Sequence, residues 1–167
     1  MSPKNAPAHI LGSISKYRKN HCDGFTLIEV LIVIAILATL AAIAIPAYSN
    51  YIQRAKIARC IAEVRMLESE IALYQENNDT LPDNLNDLGR GNILDPWGNP
   101  YQFLNFANVK GLGKMRKDRN LVPINAHFDL YSMGRDGKSQ APLTAKVSHD
   151  DIIRANNGSF IGIASDY

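Results

Sequence analysis

The sequence predicts an α+β chain: one long N-terminal helix, apolar in its first half and amphipathic in its second, followed by a turn-rich half with short strands. Three observations carry this. From Phe25 to Ile45 the only ionisable side chain is Glu29, and the only other polar ones are Thr26 and Thr39. Ile57, Ile61, Val64, Leu67, Ile71 and Tyr74 then recur at helical spacing. Beyond residue 78, clusters of Asn, Asp, Pro and Gly frame segments that alternate as strands do.

At 167 residues there is room for one modest domain plus a membrane helix. The net charge of +2 is uneven: residues 1–24 carry +3, from Lys4, Lys16, Arg18 and Lys19 against Asp23, leaving −1 for the rest. No nucleic-acid partner is expected from that composition. The two cysteines, Cys22 and Cys60, fall on opposite sides of the apolar run, so no internal disulfide can close the C-terminal half. Cys60 reads as a small apolar helix residue.

Residues 1–23 are polar and basic without apolar periodicity and are expected to be disordered. The 21 residues from Phe25 to Ile45 span about 30 Å as a helix, enough to cross the hydrocarbon core of a bilayer. The basic cluster before them places the N-terminus in the cytoplasm and the remainder across the membrane. A carboxylate within such a run is a functional-site hypothesis in itself, which singles out Glu29. The run exceeds the ~7–15 residues of a signal-peptide core, and Pro46 with a helical pattern follows Ala42-x-Ala44, so a cleaved secretory signal is the weaker reading. Pro46 predicts a kink or a loosened segment. The helix should end near Asn77-Asn78, ahead of Leu81-Pro82.

Asp95-Pro96 and Gly98-Asn99-Pro100 read as tight turns around Trp97, which plugs the gap between helix and sheet. Tyr101–Phe106 and Phe128–Met133 alternate as strands. Between them Lys110, Lys114, Arg116, Lys117 and Arg119 crowd around Gly111 and Gly113, a solvated loop or a surface for an acidic partner. Ser148–Ile153 supplies a helix N-cap and first turn, stopping by Asn156-Asn157-Gly158, and Ser159–Ala164 a last strand. His127 and His149 stand near aspartates, without a nucleophile or zinc-ligand spacing, and the chain is not read as an enzyme.

Gly24-Phe25-Thr26-Leu27-Ile28-Glu29, followed by the apolar run, resembles the processing motif of type IV pilins and type II secretion pseudopilins. The string Asp95-Pro96-Trp97-Gly98-Asn99-Pro100-Tyr101 is similar to the major, G-type pseudopilin. The resemblance implies a pilin-like fold, with the long helix packed on a small antiparallel sheet beside a C-terminal loop region. It implies a cytoplasmic leader, 1–24, removed by a membrane aspartyl peptidase that cuts after Gly24 and N-methylates Phe25. Residues 25–47 would then be the transmembrane and assembly half of the helix, and 48–167 a periplasmic globular domain. Asp23 stands where a basic residue often precedes the glycine.

In that family the glutamate five residues past the cut, here Glu29, serves assembly by pairing with the new amine of a neighbouring subunit. A calcium ion pins the family's C-terminal loop. Matched by position, its ligands here are Asp136, the Met133 carbonyl, and Asp150 or Asp151, oxygen donors that suit the ion. The segment from Lys138 to Ser148 is longer and less glycine-rich than the family shows, and without metal Asp136 makes a turn while Asp150 caps a helix. The implied role is a filament subunit of a type II-like secretion machine, anchored in the inner membrane. Its partners would be copies of itself, membrane lipid, the prepilin peptidase, an assembly platform with its ATPase, minor pseudopilins and exported proteins. A type IV pilus subunit for adhesion, motility or DNA uptake is the first alternative. A membrane-tethered binding domain that never polymerises is the second.

Overall fold

The structure is a computed structural model that describes residues 24–167; the expected leader, its disorder and Cys22 lie outside the described residues. Helix α1 runs Leu27–Asn78 and continues through Pro46. Proline forfeits the one bond its missing N–H would donate, and the turns on either side keep theirs. The helix ends where the sequence predicts, at an Asn-Asn-Asp run whose Asp79 turns left-handed (φ 57°).

The chain divides into two units, Met1–Ile43 and Ala44–Tyr167. In the described part of the first, the large apolar side chains from Phe25 to Ile43 stand between 47% and 86% exposed. The apolar stretch of α1 is long enough to cross a membrane, and none of it is buried by protein. Burying such a surface is worth about 25 cal/mol per Å², so it requires lipid or other helices around it.

The second unit closes on itself. Of the stripe that the spacing predicts, Ile57, Ile61 and Tyr74 are half-buried and Val64, Leu67 and Ile71 lie at its centre; these last three and Cys60 of α1 are wholly buried. They pack on Tyr101, Phe128, Leu130 and Ile152, with Leu85 of a short 3₁₀ turn (Leu85–Leu88) at the edge. The sheet is antiparallel with its four strands in chain order: β1 Gln102–Asn105, β2 Phe128–Ser132, β3 Ile152–Ala155 and β4 Phe160–Ile163. Phe103 pairs with Leu130, Ser132 with Ile152, and Ile152 with Ile163. Successive side chains on a strand face opposite ways. Phe128, Leu130 and Ile152 therefore meet the helix, while Tyr131, Ile153 and Ala155 meet a second cluster with Ile124, Leu143 and Ala164.

That second cluster corrects one expectation. Residues 148–153 do not start a helix: a 3₁₀ turn, Lys146–Ser148, leads into strand β3. Ile152 and Ile153 each have a covered face to fill, on opposite sides of the sheet, which only an extended backbone allows. Arg154 then falls on the helix side. Its Nε donates to Glu68 Oε1 at 2.6 Å, and its guanidinium lies 4.2 Å from the Phe128 ring centroid, tying α1 to the sheet. Trp97 takes the position expected of it: half-buried against the core, it donates from Nε1 to Gln53 Oε1 of α1 at 3.1 Å.

Burial raises the Cys60 thiol to about 11, against the pull of the Tyr101 hydroxyl 3.5 Å from its sulfur. The thiolate is the reactive form. In the native chain, the peptide containing Cys60 should resist iodoacetamide at neutral pH and become alkylated only on unfolding, as peptide mass spectrometry would read. Rapid alkylation without unfolding would mean that the helix–sheet core is open.

Candidate functional site

The helix N-terminus carries the first group of expected site residues. Gly24 and Phe25 precede α1 and are exposed, and a Cβ at Gly24 would meet nothing within 4 Å. The fold does not demand glycine there. Thr26 caps the helix: its Oγ accepts from Glu29 N at 3.3 Å, and Glu29 Oε2 accepts from Thr26 N at 2.8 Å and from the Thr26 hydroxyl at 2.7 Å. This is a capping box, which satisfies backbone donors that a helix start leaves orphaned. Thr26 was not among the residues singled out from the sequence, although Thr-x-x-Glu ahead of an apolar run is a readable signature of it. The carboxylate of Glu29 thus sits at the first turn, where negative charge also suits the helix dipole.

The second group lies in the loops beyond β2. Ahead of β1, Asp95 ties its own turn to the end of β2: Oδ1 accepts from Trp97 N (2.9 Å) and Asn99 N (2.8 Å), while Oδ2 accepts from the Ser132 hydroxyl at 2.5 Å. Asn99 Nδ2 donates to Gly134 O at 2.9 Å, so the 95–99 turn clasps the 134–137 turn. Asp150 holds that second turn from the other side, its Oδ2 accepting from Arg135 N at 2.8 Å and Asp136 N at 3.1 Å. Gly134 has φ +64°, and a Cβ on it would lie 2.3 Å from Asp150 O.

The positions matched to a calcium ion are not all at one place: Asp150 lies on the turn that carries Asp136, and Asp151 does not join them. Asp136 Oδ1 accepts from Lys138 N at 2.8 Å, the local turn expected in the absence of metal. Asp150 Oδ2 takes the two amides. Asp151 points elsewhere: its Oδ2 accepts from Arg116 Nη2 at 2.5 Å and from the Ser139 hydroxyl at 2.6 Å, while Oδ1 is buried without a partner. Among the described residues no three of His, Cys, Asp and Glu gather as a metal cage would require. As placed, Asp151 bonds Arg116 and does not join Asp136 and Asp150 around one centre. Burial pushes the Asp151 carboxyl up to about 6, with Ser139 and Arg116 pulling the other way. Arg116 itself corrects the reading of the basic segment as a solvated loop: Lys110, Lys114 and Arg119 are exposed, but Arg116 is 2% exposed.

An uncovered apolar helix with a capped acidic first turn, continuous with a helix that packs on a four-stranded antiparallel sheet, defines a pilin-like subunit with a candidate membrane anchor. Comparison with known proteins agrees. Residues 19–45 match the model of the prokaryotic N-terminal methylation motif. The type II secretion system core protein G of Pseudomonas aeruginosa is 30% identical over 137 residues, covering 70% of this chain and 85% of that protein. The same-named protein of Dickeya chrysanthemi is 28% identical over 140 residues, covering 81% and 88%. A fimbrial protein of Neisseria meningitidis is 38% identical over 135 residues, covering 80% and 79%. No solved structure matches significantly. The chain belongs to the family of type IV pilins and type II secretion pseudopilins.

Gly134→Ala forces a side chain into a left-handed backbone and against the Asp150 carbonyl. It should destabilise the chain by at least about 1 kcal/mol, measured by urea unfolding followed through Trp97 fluorescence. Unchanged stability would show that the clasp between the two turns is loose.

Proposed function

We propose that the chain is cut after Gly24, N-methylated on Phe25 and assembled with copies of itself into a pseudopilus of a type II-like secretion system. The observation that carries this is the contrast between the two units. The core of 44–167 is complete without the apolar stretch, and that stretch is bare along its length. A bare apolar helix on a finished domain is a surface for lipid first and for sister helices after extraction.

The glycine supports cleavage at this point, because a residue without a side chain lets a protease approach an extended backbone closely. Cleavage would create a charged amine at Phe25, one residue before the amide that Glu29 already binds. Neither charge is comfortable in a membrane alone. Pairing the carboxylate of one copy with the amine of the next offsets both desolvation costs and fixes the register of assembly. In this reading the N-terminus lies in the cytoplasm and the globular unit in the periplasm. The peptidase, an assembly platform with its ATPase, minor pseudopilins and exported proteins are the partners, and the chain's own role is structural.

A type IV pilus subunit is the second reading, favoured by the 38% identity to the Neisseria fimbrial protein. The secretion reading is supported by the core protein G relatives and by the single cysteine, Cys60, of the globular unit, which cannot close an internal disulfide. Intact mass of the chain recovered from membranes of cells with a prepilin peptidase tests the processing step. The expected mass is that of Phe25–Tyr167 plus one methyl group. An uncut chain, or one cut near Ala44, would remove the basis for assembly.

A further inference from the structure

We propose that Arg116, through Asp151, is the cation that pins the C-terminal loop of this protein, in the role that the family resemblance gives to calcium. The guanidinium is enclosed: its side chain is 2% exposed, that of Asp151 is wholly buried, and the Tyr131 ring centroid lies 4.3 Å below it. Its partners are all oxygens. Nη2 donates to the Asp151 carboxylate at 2.5 Å, and Nη1 donates to the Gln140 carbonyl at 2.7 Å and to the Ser139 hydroxyl. A carboxylate, a backbone carbonyl and a hydroxyl converging from a loop are the donors a hard cation takes. Here a planar, permanently charged fork fills their centre instead.

The chain around Arg116 is built to hold it there. Its own amide donates to Asp129 Oδ2 of β2 at 2.6 Å, which fixes the basic segment against the sheet. Lys117 N donates to Ala141 O at 3.0 Å, and Leu143 N returns a bond to Lys117 O at 2.8 Å. The Ser148 hydroxyl bonds both Gln140 N (2.8 Å) and Gln140 O (2.9 Å), presenting that carbonyl to the guanidinium. Three segments, around residues 116, 140 and 151, therefore meet at one positive charge. Of the acids matched to the ion by position only Asp151 reaches Arg116; Asp150 Oδ2 accepts from two amides and Asp136 Oδ1 from its own turn. The long segment between Lys138 and Ser148, which departs from the family pattern, is the part that wraps Arg116. Among the described residues the buried side-chain atoms without a hydrogen-bond partner are Arg116 Nε and Asp151 Oδ1, both of this pair.

The test uses the full chain in detergent micelles, with thermal unfolding followed through Trp97 and limited proteolysis mapped by mass spectrometry. The unfolding midpoint and the protease resistance of 133–151 should be the same in EGTA and in millimolar calcium chloride. Arg116→Met should lower the midpoint by about 10 °C and expose that segment, because it strands a buried carboxylate. Arg116→Lys, which keeps the charge but loses the fork, should fall between. A midpoint raised by calcium in the unaltered chain would overturn the proposal, and so would an Arg116→Met chain that keeps full loop protection. If Arg116→Met does not accumulate, the calcium comparison on the unaltered chain and the loop protection of Arg116→Lys decide it.

Discussion

The constraint on which the rest depends is that one helix, Leu27–Asn78, has to satisfy two different surroundings. In its second half a narrow stripe of wholly buried residues meets a sheet. In its first half every large apolar side chain is presented outward, around the whole circumference. A helix that is apolar all round is stable only where something apolar surrounds it. The apolar stretch is unburied in the structure. Lipid, and then other copies, are the surroundings proposed for it. Water would expose about half or more of each of these residues at a cost that no internal interaction offsets.

The capping box at Thr26 and Glu29 refines how such a helix can wait in a membrane. A bare carboxylate and bare amides at a helix start would each be expensive there. Joined to one another, they are satisfied within a single chain. Glu29 is therefore held in one place at the first turn, presented beside the residue that cleavage would turn into a free amine. In the proposed assembly the same residue would serve the isolated helix and, with a partner amine, the assembled one, exchanging contacts rather than creating them from nothing.

Much of this was legible in the residues because the signals were local. The stripe Ile57–Ile71 follows from spacing, the apolar run from composition, the helix end from Asn-Asn-Asp, and the 95–99 turns from Asp-Pro and Gly-Asn-Pro. What was not legible depended on tertiary cover. Ser148–Ile153 carries a good helix start, yet Ile152 and Ile153 are claimed by opposite faces of the sheet, and that demand prevails over the local cap. Arg116 reads as one of five solvated cations. Only the chain path reveals that Ser139, Gln140 and Asp151 close around it. Asp136 makes the turn read from its sequence, whereas Asp150, read as a helix cap in the absence of metal, holds the 135–136 amides instead, because spacing does not say which backbone a carboxylate faces.

The central claim is that the bare helix is an assembly surface whose register depends on Glu29. The most direct measurement is electron microscopy, with pelleting, of filaments sheared from cells that overproduce the chain together with its secretion machinery. The wild type and Glu29→Ala are compared at matched membrane abundance and matched cleavage. The account predicts filaments from the wild type and none from Glu29→Ala, although the variant is made, cut and anchored. Filaments of equal number and length from Glu29→Ala would contradict it, and would leave the helix as a membrane tether only.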